Sequence, residues 1–144
     1  MSQENVEIVL GLRLAHDGNL VRRVREDEMW TGWRESAASA FHPNLTTTVR
    51  LFGVERSYGG IEGFRSFWLD WLAPWESYRI RIERATDCGD QTLVVVRDFG
   101  LRPGASEEVA ASNASVWTFD DGRIARIDFY LDPAEAVKAV GLAE

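Results

Sequence analysis

The sequence predicts an α+β fold in which helices come first and a mostly antiparallel sheet follows. Before Pro74, apolar residues recur every three or four positions, as they do on one face of a helix. After Pro74 they recur at every second position, as they do on one face of a strand. The stretches "DCGD", "LRPGAS" and "DDG" then divide the second half of the chain into runs of strand length. Helices followed by strands are the order typical of α+β domains.

Length and composition indicate a single globular domain spanning residues 1–144. With 45% hydrophobic residues, the chain can bury a core of its own. Its formal net charge of −7 argues against nucleic-acid binding, which needs clustered basic side chains. The densest basic run, "VRRVRE" at 21–26, continues into Asp27 and Glu28 and is interpreted as a solvated helix face.

The sequence also limits targeting and metal binding. It contains no signal-peptide pattern and no uncharged run long enough to span a membrane, so we expect a cytoplasmic protein without a membrane partner. The single cysteine, Cys88, excludes an internal disulfide and a cysteine-rich metal site. Two histidines are too few for a three-histidine metal site. We expect structural roles for both, with His16 at the end of a helix and His42 in a turn.

The first forty residues predict helices. Residues 5–16 carry apolar side chains at helical spacing, and Asp17-Gly18 is typical of a helix end. Asn19 is a suitable N-cap for a second helical stretch that runs from residue 20 towards residue 41. We expect Thr31-Gly32 to break this stretch in two.

One strand and the clearest helix follow. His42-Pro43 closes the first region, "LTTTVRLFGV" at 45–54 predicts a strand, and "SYGG" predicts a loop. In "IEGFRSFWLDWLAPW" the apolar residues share one helical face, and Pro74 ends the helix. We expect the tryptophans of this helix to pack it against the sheet.

The rest of the chain predicts four strands and a final helix. Residues 78–83 alternate between apolar and charged side chains, as a half-buried strand does. The runs "QTLVVVRDFG", "EEVAASNASVWTF" and "RIARIDFYL" predict the other three strands. Asp132 as N-cap, Pro133 at the first helical position and Glu135 three residues after the cap predict the last helix. The predicted order is therefore α-α-β-α-β-β-β-β-α.

This order, together with three local sequences, resembles the SnoaL-like branch of the nuclear transport factor 2-like superfamily. The matching pieces are "MSQENVEIV", "YGGIEGFRSFWLDWLAPWESYRIRIE" at 58–83 and "VWTFDDGRIARIDFYLDPAEAVKAVGL" at 116–142. The resemblance implies a cone, in which a strongly curved sheet wraps around the helices and encloses a pocket. It also implies a homodimer through the outer sheet face, and chemistry that uses side chains and water without a cofactor or metal. Compared with shorter members, "EDEMWTGWRES" at 26–36 is extra length that would form a lid or a wall.

The turn "FDDGR" predicts which side chains enter the pocket. It suits a three-residue hairpin loop with Gly122 in the left-handed conformation, which would pair Phe119 with Arg123 and Ser115 with Ile127. A two-residue turn would reverse the faces. Together with one tryptophan of the central helix, the expected ligand-binding residues are Trp68, Asn113, Ser115, Trp117, Phe119 and Phe129.

Candidate catalytic groups are few. The resemblance implies an aspartic acid at the position of Ser115, where a serine can only form hydrogen bonds, either to a neighbouring carbonyl or to a ligand. The family's other known acids are also missing. Arg97 and Asp98 are the best remaining pair, and because neighbours on a strand point to opposite faces, only one of them can enter the pocket. Asp98 would be a base with a raised pKa, and Arg97 would orient an anionic oxygen. The alternative is a solvated ion pair at the rim.

Three hypotheses remain open. The first is a protein that binds a small hydrophobic, aromatic or polyketide-like molecule. The second is an enzyme, similar to an aldol cyclase, isomerase or epoxide hydrolase, that uses a carboxylate such as Asp98. The third is a cone filled by its own side chains. A cavity of about 300 Å³ or more with Asp98 buried near Trp117 would favour the enzyme, and a similar cavity without a titratable group would favour the binding protein.

Overall fold

The helices and strands were located in a computed structural model that describes residues 2–13, 19–51 and 53–142. The first half of the chain forms α1 (Ser2–Gly11), α2 (Leu20–Arg25), α3 (Asp27–Ala37), a short 3₁₀ turn (Ala38–Ala40), β1 (Phe41–Leu51), β2 (Val54–Gly59) and α4 (Gly60–Leu72). The second half forms β3 (Ser77–Cys88), β4 (Gln91–Leu101), β5 (Val109–Asp120), β6 (Arg123–Tyr130) and α5 (Pro133–Ala139).

The strands form one six-stranded sheet in the order β2-β1-β6-β5-β4-β3. Every neighbouring pair is antiparallel except β1 and β6, which run parallel. The sheet is curved and unclosed, with α1, α2 and α4 packed against it on the concave side. Helix α5 covers β5 from the outer face. The predicted α+β cone is therefore confirmed.

The main core lies between the helices and the concave face of the sheet. Phe64 of α4 is fully buried, and its ring lies within 6.5 Å of the rings of Trp30, Trp33 and Phe41. Residues 26–36, expected to form a lid or a wall, are thus mostly helix α3, whose two tryptophans are core residues. A smaller core on the outer face joins α5 to β4 and β5.

The helical region divides at Glu26 and not at the predicted Thr31-Gly32. Arg65 of α4 donates hydrogen bonds to the carbonyls of Val24 and Arg25, which a continuing helix would have used for its own ladder. Gly32 remains inside α3 because the burial of Trp30 and Trp33 outweighs the cost of a helical glycine, about 1 kcal/mol.

The N-terminal ends of α2 and α5 are capped by the predicted residues. Asn19 caps α2 as predicted, since its Oδ1 accepts a hydrogen bond from the Val21 amide at 3.1 Å. Asp132 caps α5 in the same way through the Ala134 amide. The predicted helix end at Asp17-Gly18 and the predicted position of His16 lie outside the described residues.

The predicted single strand at 45–54 is in fact a hairpin of β1 and β2 joined across Gly53. β1 already includes His42 and Pro43, which were predicted to close the helical region. Pro43 is tolerated because the pairing of β1 with β6 is interrupted between Phe41 and Thr46, so its missing N–H breaks no ladder. β2 lacks an alternating apolar pattern because it is an exposed edge strand, and for this reason the sequence predicts a loop at "SYGG" where the structure has the end of a strand.

The β5–β6 turn also differs from the prediction, although the residues that share each face of the hairpin are those predicted. Asp121 and Gly122 both have positive φ and form a two-residue turn, so Asp120 pairs with Arg123. A β-bulge at Ala125 then adds one residue to β6 and restores the original alternation. As a result Trp117 pairs with Ile127, and Ser115 pairs with Phe129 in place of the predicted Ile127.

Gly100 makes room for an aromatic contact beside the pocket. It pairs with Tyr78, and a Cβ at this position would lie 2.5 Å from a ring atom of Trp75. We expect Gly100→Ala to lower the free energy of unfolding by about 1–3 kcal/mol, as overpacking does. Gly32→Ala, which meets no atom within 4 Å, is the control and should stabilise by about 0.5–1 kcal/mol. Urea unfolding of both variants measures this, and an unchanged Gly100→Ala variant would show that Trp75 moves freely aside.

Candidate functional site

The concave face of the sheet encloses a cavity of about 460 Å³. Strands β3 to β6 form one side, and residues of α1 and α4 form the other. Five of the six predicted ligand-binding residues line it: Trp68, Asn113, Ser115, Trp117 and Phe129. The cone is therefore not filled by its own side chains.

Phe119 and Arg97 do not line the cavity. Phe119 pairs with the fully buried Ile124 and belongs to the main core. Ile124 also pairs with Phe41, whose ring packs against the core aromatic rings, so this end of the hairpin lies in the core and not at the cavity. Arg97 lies on the opposite side of β4 from Asp98, and its guanidinium donates to Ser112 Oγ at 3.1 Å. Of the pair Arg97 and Asp98, only Asp98 enters the pocket.

Asp98 is buried, with 6% of its surface exposed, and is held by hydrogen bonds. Its Oδ2 accepts from the Tyr78 hydroxyl at 2.5 Å and from Asn113 Nδ2 at 2.8 Å. The Tyr78 hydroxyl in turn accepts from Trp71 Nε1 at 2.9 Å. Asp98 Oδ1 is buried and has no hydrogen-bond partner among the described residues. The alternative of a solvated ion pair at the rim is therefore wrong.

The surroundings of Asp98 favour its neutral form. Burial raises the pKa of the carboxyl, while the hydrogen bonds from Tyr78 and Asn113 act in the opposite direction. Burial and the nearby carboxyl also raise the pKa of Tyr78, so this side chain stays a phenol and a donor. Asp98 is thus a carboxyl that can hold or exchange a proton within an apolar cavity.

Tyr78 and Trp71 were not predicted as site residues. A signal for Tyr78 was available, since it begins the alternating strand at 78–83 and its inward face is shared by Ile80. The partnership with Asp98 depends on the β3–β4 register, in which Tyr78 pairs with Gly100, two residues beyond Asp98. The turn between those strands is only two residues long, but a β-bulge between Ile82 and Arg84 shifts the register before Tyr78, and the sequence does not indicate that bulge.

Ser115 has a partner that neither interpretation of its hydroxyl foresaw. Its Oγ accepts a hydrogen bond from Trp117 Nε1 at 2.8 Å, and the side chain is buried. The oxygen is thus satisfied by an indole N–H, because residues two apart on a strand share one face.

Aromatic rings give the cavity a flat wall. Phe129 stacks on Phe67 with a centroid distance of 4.3 Å and an angle of 15° between the rings. Trp68 meets Phe129 edge to face at 5.5 Å. Trp71 and Trp117 also line the cavity. This arrangement suits a planar apolar molecule.

Metal binding and membrane insertion find no support in the described residues. No group of three or more His, Cys, Asp or Glu side chains in residues 2–13, 19–51 and 53–142 is placed to hold a metal ion. No helix in the same ranges is both long and apolar enough to cross a membrane.

A curved sheet around an apolar cavity with one inward carboxyl defines an α+β cone protein with an internal pocket. The sequence matches the family described as SnoaL-like domain over residues 21–127, and the chain belongs to that family. No curated protein matches the sequence.

Solved structures show the same fold. A candidate SnoaL-like polyketide cyclase from Jannaschia sp. CCS1 is 20% identical, with a TM-score of 0.68 over 99% of this chain and 94% of that one. TerC co-crystallised with polyporic acid is 16% identical, with a TM-score of 0.63 over 94% and 97%. A protein with a ketosteroid isomerase-like fold from Catenulispora acidiphila DSM 44928, in complex with trimethylamine, is 17% identical, with a TM-score of 0.61 over 95% of this chain and 94% of that one. At these identities the likeness establishes the fold alone.

Asp98→Asn should change how stability depends on pH. Because burial raises the folded-state pKa of Asp98 above its ordinary value of 3.8, its contribution to stability is fully present below pH 3.8 and is lost as pH rises through the folded pKa. We therefore expect the free energy of unfolding of the wild type to fall, relative to Asp98→Asn, as the pH rises above about 4.

Urea unfolding at several pH values measures this difference. Glu107→Gln, which removes an exposed carboxyl, controls for the loss of one negative charge. A difference between wild type and Asp98→Asn that is independent of pH, or that changes in the opposite direction, would contradict the raised pKa.

Proposed function

We propose that this protein binds a small, flat, mainly apolar molecule inside the cone. The observation that carries the proposal is the aromatic-lined cavity of about 460 Å³. Ligand pockets commonly measure roughly 300–1,000 Å³ and combine apolar walls with a few polar groups. The lining is mostly apolar, and its polar and charged side chains are Asp98, Asn113, Ser115, Tyr130, Arg13 and Arg81.

The comparisons support this proposal at the level of the fold. TerC, which has the same fold, was co-crystallised with polyporic acid. A protein with this fold has therefore been crystallised together with a small organic molecule. The homodimer, the cytoplasmic location and the absence of a cofactor stay predictions.

A cavity-filling variant tests the binding proposal. Val96 points into the cavity and pairs with Asn113, whereas its neighbour Val95 points to the outer face and packs against the smaller core. We expect Val96→Phe to weaken the binding of the two-ring hydrocarbon tetralin by about tenfold or more, because the added ring occupies the pocket. Val95→Phe should leave binding unchanged.

The measurement is the quenching of tryptophan emission during titration, since Trp68, Trp71 and Trp117 line the cavity. Thermal unfolding of both variants shows that each is folded. If the wild type binds no tetralin, or if both variants bind as the wild type does, the cavity is not a ligand site.

A second candidate function is proton transfer, and the burial of Asp98 in the cavity favours it. Asp98 is not near Trp117, however, because Trp117 pairs with Thr92, six residues before Asp98 on β4. The ionised form of a buried carboxyl with a raised pKa is a stronger base than an ordinary carboxylate and can take a proton from a carbon beside a ketone. The C–H electron pair then moves into the enolate, and the carboxyl returns the proton to the same carbon or to the enolate oxygen. Tyr78 and Asn113 would hold the carboxyl in place during this exchange.

Deuterium exchange into 2-tetralone tests this candidate. In D₂O the wild type should accelerate exchange at the carbons beside the ketone, and Asp98→Asn should lose roughly two to four orders of magnitude of that acceleration. Proton NMR follows the exchange, and tetralin binding shows that the Asp98→Asn pocket is intact. If deuterium exchange in the presence of the wild type is no faster than in buffer alone, the proton-transfer function is wrong and only the binding function stands.

A further inference from the structure

Asp98 has one carboxyl oxygen that no described residue uses. Its Oδ2 accepts hydrogen bonds from Tyr78 and Asn113, whereas its Oδ1 is buried and has no partner in the described part of the chain. The side chain lines the cavity, and 6% of the residue is exposed. A buried polar atom without a partner is unfavourable. A ligand that brings a hydrogen-bond donor to this carboxyl would supply the missing partner.

The charge of Asp98 is also left unbalanced. It is the only acidic side chain among the described residues that line the cavity, and the phenol and amide that hold it are both neutral donors. Arg81 is part of the lining, but its guanidinium lies 5.5 Å from the centre of the Phe99 ring, on the opposite side of β4 from Asp98. Arg13 is exposed beyond the end of α1. A cation that enters the cavity would therefore find an acidic group without a charged partner.

Aromatic rings lie close to this carboxyl. Trp71 Nε1 donates to the Tyr78 hydroxyl, which donates to Asp98, so two consecutive hydrogen bonds connect the indole to the carboxyl. Phe67 stacks on Trp71 with a centroid distance of 6.2 Å and an angle of 26° between the rings. The faces of aromatic rings attract cations, and the attraction is stronger where water is excluded. A buried carboxyl beside aromatic rings is therefore suited to an ammonium group.

We propose that Asp98 recognises a protonated amine, and that the ligand is a flat apolar molecule carrying one ammonium group. The inference rests on the proposed binding function and names the class of its ligand. The ammonium N–H supplies the donor that Oδ1 lacks, and its charge favours the ionised carboxyl that burial alone disfavours. The formal net charge of −7 also attracts cations to the protein and repels anions.

Two ligands of opposite charge test the proposal on the wild type. At neutral pH 2-aminotetralin is a cation, and tetralin-2-carboxylate is an anion with the same two-ring skeleton. We expect the wild type to bind the amine about tenfold or more tightly than the carboxylate, since only the amine forms a charge-assisted hydrogen bond with Asp98. Isothermal titration calorimetry measures both affinities.

Asp98→Asn shows whether this carboxyl is responsible. The amide oxygen can still accept from Tyr78 and Asn113, which leaves the NH₂ group, a donor, in the place of Oδ1. We expect 2-aminotetralin binding to weaken about tenfold or more, and tetralin binding to change by less than about twofold. Glu107→Gln removes the same charge from an exposed residue outside the cavity lining and should change neither affinity.

The outcomes separate this inference from the proposed function. Preference for the amine, lost selectively in Asp98→Asn, supports the ammonium site. If the wild type binds tetralin but does not prefer the amine to the carboxylate, or if Asp98→Asn binds the amine as tightly as the wild type, the ammonium site is wrong and the binding function stands. If the wild type binds neither tetralin nor the amine, both are overturned. The comparison of opposite charges decides the proposal if Asp98→Asn does not fold, because it needs no variant.

Discussion

A carboxyl group inside an apolar cone has to receive hydrogen bonds from its surroundings, because a buried polar group without partners is unfavourable. Asp98 receives two, from Tyr78 on β3 and Asn113 on β5, and Trp71 of α4 extends the chain through the Tyr78 hydroxyl. One carboxyl thus links three strands and the central helix. The same links fix the position of the only carboxyl in the described part of the cavity lining, so structure and candidate chemistry depend on the same contacts.

The elements with strong local signals could be predicted from the sequence. Helix α4 has a complete apolar face and a terminating proline, and α5 has an N-cap followed by Pro133. The pocket face of β5 was also predicted, although by an incorrect turn. Compared with the predicted three-residue loop, the two-residue turn at Asp121-Gly122 exchanges the two faces of β6, and the bulge at Ala125 exchanges them back. The same side chains of β5 and β6 therefore share a face as predicted.

The remaining features depend on contacts between distant residues. The division at Glu26 follows from Arg65, which lies almost forty residues later and binds the free carbonyls. Strand β2 is recognised only by its pairing with β1, because its side chains are exposed. Sequence alternation shows that Arg97 and Asp98 oppose each other, but only the β3–β4 register decides which one enters the pocket. The sequence therefore predicts which face of β5 lines the pocket, but it does not predict the hydrogen bonds that join Asp98 to Tyr78 and Asn113.

The parallel pairing of β1 and β6 has a consequence for how the chain folds. Thr47 of β1 pairs with Ile127 of β6, about 80 residues later, whereas the pairings of β3 to β6 join consecutive strands. Closing such a long loop costs more conformational entropy than joining a hairpin, and proteins rich in distant contacts fold slowly. On the ribosome, α3, β1 and α4 are complete well before β6 is available to pair with β1. We therefore expect the pocket wall that carries Phe129 to be among the last parts of the fold to form.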